Sequence, residues 1–157
     1  MAPVAIDGTG VGEYDGRAGR RIPAHHFFSL EGSGAHKGHD DAGGFAVHGV
    51  GPATRLAYPH IRGVPRAADI VLRVATASDA APGLAVSVRL GSAEGPEVCR
   101  SALPGTGGLS VWADVRCVTA KPLPAELSAV LVFEAGEGRA GGGGDVRLAS
   151  LAFEVTA

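Results

Sequence analysis

The stretch that decides the fold is Val98-Cys99-Arg100-Ser101-Ala102-Leu103-Pro104-Gly105-Thr106-Gly107-Gly108-Leu109-Ser110-Val111-Trp112-Ala113-Asp114-Val115-Arg116-Cys117-Val118. Two runs of strand composition flank a Pro/Gly turn, and the second carries the single tryptophan of the chain. Clustered Gly, Pro and Thr are the residues that end one strand and start the next. The stretch therefore predicts a hairpin, with Trp112 as an inward packing anchor. Cys99 and Cys117 stand almost symmetrically about the turn, so hairpin pairing would set them opposite each other. In an oxidising compartment such a pair forms a disulfide worth roughly 3 kcal/mol in loop-closure entropy. In the cytosol the same residues are two buried thiols packing as small hydrophobes.

Working outward, the neighbouring runs show the same period of two. Asp69 to Thr76 puts Ile70, Leu72 and Val74 on one face, and Leu84 to Leu90 does the same with Leu84, Val86, Val88 and Leu90. Asp79-Ala80-Ala81-Pro82-Gly83 is the turn between them. Leu127 to Phe133 and Val146 to Val155 follow, and Ile22 to Leu30, Phe45 to Val50 and Thr54 to Ile61 precede. Phe27 and Phe28 must face opposite sides of a strand, so one of them enters the core. Pro52 and Pro59 confine their strands to edges or strand ends. The 25 Gly and 10 Pro supply the loops, among them the slack run Gly141 to Gly144. Eight or nine short strands with this spacing predict an all-β chain, an antiparallel β-sandwich of the jelly-roll kind. Residues 1–20 read as a flexible lead-in or an arm lying on the domain, and residues 21–157 as one sandwich domain, a size that folds around a core of its own.

Composition narrows the functional classes. A net charge of −2 and a sequence pI near 6.3 come without any stripe of Lys or Arg, so nucleic acid is not expected as a partner. No apolar window is long enough for a membrane span, and the first twelve residues lack the basic and apolar regions of a secretory signal. The chain reads as cytoplasmic, or as a domain excised from a secreted parent. It has no Gly-x-Ser-x-Gly elbow, no Gly-x-x-x-x-Gly-Lys-Ser/Thr loop and no Gly-x-Gly-x-x-Gly opening a helix. Nucleophile-elbow hydrolase, P-loop and Rossmann chemistry therefore have no footing.

Three motifs carry a resemblance: Ile22-Pro23-Ala24-His25, Ala53-Thr54-Arg55-Leu56-Ala57-Tyr58 and Thr106-Gly107-Gly108-Leu109-Ser110-Val111-Trp112. Together they resemble family 6 carbohydrate-binding modules over roughly Arg21 to Val155. The resemblance implies a galactose-binding-like sandwich, a non-catalytic role and a carbohydrate or small-molecule ligand. It assigns a structural calcium to carboxylates of the first motif, where this chain has Pro23 and His25. Calcium asks for several oxygen ligands, so that site is expected to be lost. In the second motif the structural tyrosine is Tyr58, while Arg55 stands where a sugar-stacking aromatic is usual. In the third, Leu109 replaces the other stacking aromatic and Trp112 keeps the packing one. Asp145 is the nearest match to a sugar-binding Asn.

A pyranose stacks best on a flat aromatic partner, and here it finds a guanidinium and an aliphatic chain. Arg55 suits a carboxylate through its planar fork, and Leu109 suits the wall of an apolar pocket. The segment Glu31 to Gly44 reads as a long polar loop holding His36, His39, Asp40 and Asp41, residue types that bind metal or move protons. The expected ligand-binding site is one end of the sandwich, where this loop, Arg55 and the turn from Thr106 to Ser110 meet, with Asp145 nearby. The leading expectation is a binding module for a glycan or a glycosylated or acidic small molecule. The alternative is a small stand-alone enzyme using the same His, Asp and Arg side chains for acid–base or metal-assisted chemistry. Catalytic residues, cofactor, metal and oligomeric state stay open.

Overall fold

A computed structural model describes residues 14–32, 34–39, 44–77, 79, 83–135 and 146–155. The strands are β1 (Tyr14–Asp15), β2 (Arg21–Pro23), β3 (Ser29–Glu31), β4 (His36–His39), β5 (Phe45–His48), β6 (Arg55–Arg62), β7 (Ala68–Thr76), β8 (Leu84–Leu90), β9 (Glu97–Ala102), β10 (Gly108–Cys117), β11 (Glu126–Ala135) and β12 (Val146–Val155). The single helical turn among the described residues is a 3-10 turn, Ala24–His26. Among the described residues no helix is long and apolar enough to cross a membrane.

The strands form two sheets of six. The first runs β1-β6-β11-β8-β9 with β3 also on β6, and the second runs β10-β7-β12-β5-β4 with β2 also on β12. Pairing is antiparallel except for β1 on β6. The chain is thus a β-sandwich of the expected class. Alternation does the sorting. Leu56, Tyr58, Ile61, Val86, Val88, Leu131 and Phe133 of the first sheet are buried together with Ile70, Leu72, Val74, Leu148, Leu151 and Phe153 of the second. Tyr58 is buried without loss of its hydrogen bond, because its hydroxyl donates to the Ala24 carbonyl at 2.6 Å. Burial raises its pKa well above the ordinary phenol range.

Several local readings change. Residues 98–118 are not a hairpin: β9 pairs with β8 in one sheet and β10 with β7 in the other, so the Pro/Gly turn is a crossover between sheets. Its end is fixed by Thr76 and Thr106, whose backbone amides each donate to the other's hydroxyl, at 2.8 and 2.7 Å. The cysteines meet nonetheless. Cys99 and Cys117 form a disulfide with Cα atoms 5.6 Å apart, joining the edge strands of opposite sheets. Trp112 is not in the core. The pairing Ala113↔Val74 turns Ala113 inward and Trp112 outward, where it is half-buried, and Val115 and Cys117 are the buried residues of β10.

Ile22 to Leu30 is broken by the 3-10 turn into β2 and β3, and Phe27 is the phenylalanine that enters the core. Pro59 lies inside the sheet, since β6 has β11 on one side and β3 and β1 on the other. The ladder tolerates it because the register slips there, Ala129 facing Tyr58 and Leu127 facing Ile61, and a bulge needs no donor from proline. His60, beside it, has φ of 55°. The described part of the lead-in lies on the domain: Gly16 N–H donates to the Arg62 carbonyl and Gly19 N–H to that of Phe153.

Candidate functional site

Arg55 opens β6, and alternation with the buried Leu56 sends its side chain to the outer face of the first sheet. There its Nη1 lies 3.5 Å from Glu94 Oε2. Glu94 reaches it because the β8–β9 connection folds back over the sheet. Between the two lies a cleft of about 240 Å3, lined by Ser29, Glu31, Arg55, Ala57, Gly91, Ser92, Ala93, Glu94 and Val130. The floor is small and apolar, Ala57 and Val130. The walls are two carboxylates, a guanidinium and two hydroxyls, and no lining residue is aromatic. Such a surface grips a ligand by hydrogen bonds and charge rather than by stacking.

Register puts the other expected segments at the same end of the sandwich. Glu31 pairs with Arg55, the Ala53 amide donates to the Phe133 carbonyl, and Gly108 pairs with Thr76. Gly32, at φ of 125°, lies so close to Thr54 that a Cβ would sit 2.8 Å from its Cα. This approach ties the segment after β3 to the start of β6, and only glycine permits it. Leu109 is half-buried at the start of β10, in the second sheet.

His36 and His39 are on a strand rather than in a loop. β4 pairs with β5 as His36↔His48 and His39↔Phe45. Three residues apart on a strand, the two imidazoles face opposite sides, so they cannot converge on one ligand as a loop would allow. His36 Nδ1 is 2.8 Å from the Gly34 carbonyl, and its ring lies 5.6 Å from that of His48. His39 packs on Phe45 at 4.7 Å between ring centroids, with Lys37 Nζ 4.7 Å from the same ring. The contacts of Arg55 and those of the two histidines do not meet. Asp40, Asp41 and Asp145 lie outside the described residues.

The donor set does not fit the family's calcium. Pro23 and His25 give no carboxylate oxygen, the Ala24 carbonyl accepts from Tyr58, and no group of three or more His, Cys, Asp or Glu among the described residues could hold a metal. Sequence reasoning missed Glu94 and Glu31 as neighbours of Arg55. Glu31 was visible through strand pairing, but Glu94 depends on the path of a loop.

No family model matches the sequence, and no curated protein matches it. Solved structures do. A carbohydrate-binding module of family 6 from Clostridium stercorarium, in complex with cellobiose, is 22% identical, with a TM-score of 0.74 over 92% of this chain and 98% of that one. The fold is that of family 6 carbohydrate-binding modules. A β-1,3-glucan-binding member from Bacillus halodurans is 24% identical, with a TM-score of 0.69 over 91% of this chain and 99% of that one. An arabinoxylan arabinofuranohydrolase of glycoside hydrolase family 43 from Bacillus subtilis, in complex with cellotetraose, is 20% identical, with a TM-score of 0.71 over 92% of this chain but only 28% of the enzyme. The carbohydrate-binding-module fold thus accounts for nearly all of this chain and for a minor part of that hydrolase.

Proposed function

We propose that the protein is a non-catalytic module that binds a glycan, with the Arg55–Glu94 cleft as its binding site. The observation that carries this reading is the match over 92% of the chain to almost the whole of a module bound to cellobiose. The cleft supports it, being open, lined with polar groups and of a size for one or two sugar rings. It also modifies it. With Arg55 where the resemblance has a stacking aromatic and no aromatic residue in its lining, the cleft favours a ligand held by hydrogen bonds and charge over one held by stacking. The disulfide fits the same picture, since such bonds persist in oxidising compartments.

The test is retardation of the protein in gels carrying soluble plant, algal or bacterial polysaccharides. Slowing by at least one polysaccharide, abolished by Arg55→Ala and weakened by Glu94→Gln, supports the reading. Equal slowing of all three proteins moves the site elsewhere.

A further inference from the structure

β10 closes the second sheet on one side, with β7 as its neighbour and, among the described residues, no strand beyond it. An edge strand presents a row of N–H and C=O groups to which another strand can add, and natural edges are blunted by bulges and charges. β10 has its bulge only in its first half, between Gly108 and Ala113. Over residues 113–117 the register on β7 runs without a slip, from Ala113↔Val74 to Cys117↔Ile70. This half is also held at its end, since Cys117 is bonded to Cys99 of β9, with Cα atoms 5.6 Å apart.

The charges of this half are self-complementary. Asp114 and Arg116 stand on the outer face, one residue either side of the buried Val115, and each is about half exposed. Laid antiparallel on a copy of itself about a two-fold axis at Val115, the strand sets Asp114 opposite Arg116 of the second copy, and does so twice. On the inner face Ala113 then meets Cys117, and Val115 meets its own copy. Directly opposed residues on antiparallel strands have Cβ atoms about 5 Å apart, within reach of an ion pair. Moving the axis by one residue, to Asp114 or to Arg116, sets like charges opposite each other, so a single register is favoured. The internal partners do not use these charges up. Asp114 meets Arg73 at 3.3 Å, and Arg116 meets Asp69 and Glu154 at 3.0 and 3.1 Å, while a carboxylate and a guanidinium each have further acceptor or donor positions. Two of the four large apolar side chains exposed among the described residues flank this half, Val111 at 50% and Val118 at 64%, and offer apolar surface to a partner.

We infer that β10 is a homodimerisation edge, at which two copies pair through residues 113–117 and join their second sheets into one. The contact is small beside a standard interface, so the dimer is weak, with a Kd on the order of 0.1 mM. No residue lining the Arg55 cleft lies on β10, so both clefts stay open in the pair. The inference does not rest on the glycan-binding reading, and its test needs no ligand.

Mass in solution is measured by light scattering from about 10 µM to about 1 mM. Monomer is expected at the low end and dimer at the high end, with salt at about 1 M reducing the dimer. Asp114→Arg and Arg116→Asp are each expected to stay monomeric, because each sets like charges opposite each other. An equimolar mixture of the two is expected to dimerise again, because every charge then faces its opposite. Both variants disturb an internal ion pair, so hydrogen exchange of the unaltered protein repeats the test without a substitution. Amides of residues 113–117 are expected to gain protection as concentration rises, and those of β4, the opposite edge of the same sheet, are not. Monomer at every concentration, a dimer that both variants leave intact, or protection of residues 113–117 that is equal at low and high concentration overturns the inference.

Discussion

Cys117, at the end of β10, is bonded to Cys99 of β9 across the gap between the sheets, at a sequence separation of 18. The bond closes a loop that contains the whole crossover from one sheet to the other. Cross-linking a loop of this length is worth roughly 3 kcal/mol through the unfolded state. The Cys99→Ala/Cys117→Ala double variant should therefore unfold at clearly lower denaturant concentration while keeping ligand binding, because the Arg55 cleft lies on other strands. A variant with an unchanged midpoint would show that the bond does not constrain the chain.

Trp112 invites a second measurement. A fully buried aromatic costs about 3–5 kcal/mol when cut to alanine, as expected for Phe133, which is fully buried. Trp112 is only half-buried and faces outward, so Trp112→Ala should cost less than half as much as Phe133→Ala in the same denaturation assay. Equal losses would place the indole in the core after all.

The two readings of Trp112 show where sequence reasoning works here and where it stops. Alternation identified the inward residues of β7 and β8, because a period of two is local information, while the structural role of Tyr58 came from the resemblance. The three motifs of the resemblance pointed separately to a fold that the structure bears out. Alternation failed at Trp112 because β10 carries a bulge between Gly108 and Ala113, and each extra residue in a bulge flips the parity that follows. The hairpin reading of 98–118 failed for a related reason: a Pro/Gly turn reverses a chain equally well within one sheet or between two. His36 and His39 were misplaced because a four-residue strand of His, Lys and Gly has no apolar alternation to announce it.

Asp69 gives the protein an acid-sensitive joint. Its pKa is lowered chiefly by the Thr119 backbone N–H at 3.1 Å from Oδ1, with Arg116 adding to the effect against the opposing cost of burial. A carboxyl whose folded pKa lies below its unfolded value contributes stability that is present above the unfolded value and lost as pH falls through the folded one. Asp69→Asn should therefore lower the melting temperature at neutral pH, and the gap from the parent should close as pH drops below the ordinary carboxylate range. A gap that stays constant down to strongly acidic pH would mean that the charge of Asp69 is not what stabilises the joint.

The resemblance sets Arg55 and Leu109 at the two stacking positions, and the proposed binding mode has a direct consequence. Linear xylo- and cello-oligosaccharides should bind in the millimolar range or weaker, about −4 kcal/mol, despite the fold shared with a cellobiose-binding module. Calorimetry is the check. Micromolar binding of either series, lost on Arg55→Ala, would show that a guanidinium serves this fold as a sugar platform.

The measurement that bears most directly on the central claim joins binding to turnover on one sample. The protein is titrated calorimetrically with each soluble polysaccharide that retards it in gels, and the same mixtures are assayed for release of reducing ends. The account predicts saturable binding to at least one polysaccharide, its loss in Arg55→Ala with an unchanged melting temperature, and no release of reducing ends. Release of reducing ends that disappears in Arg55→Ala or His39→Ala, or the absence of binding to any polysaccharide tested, would contradict it.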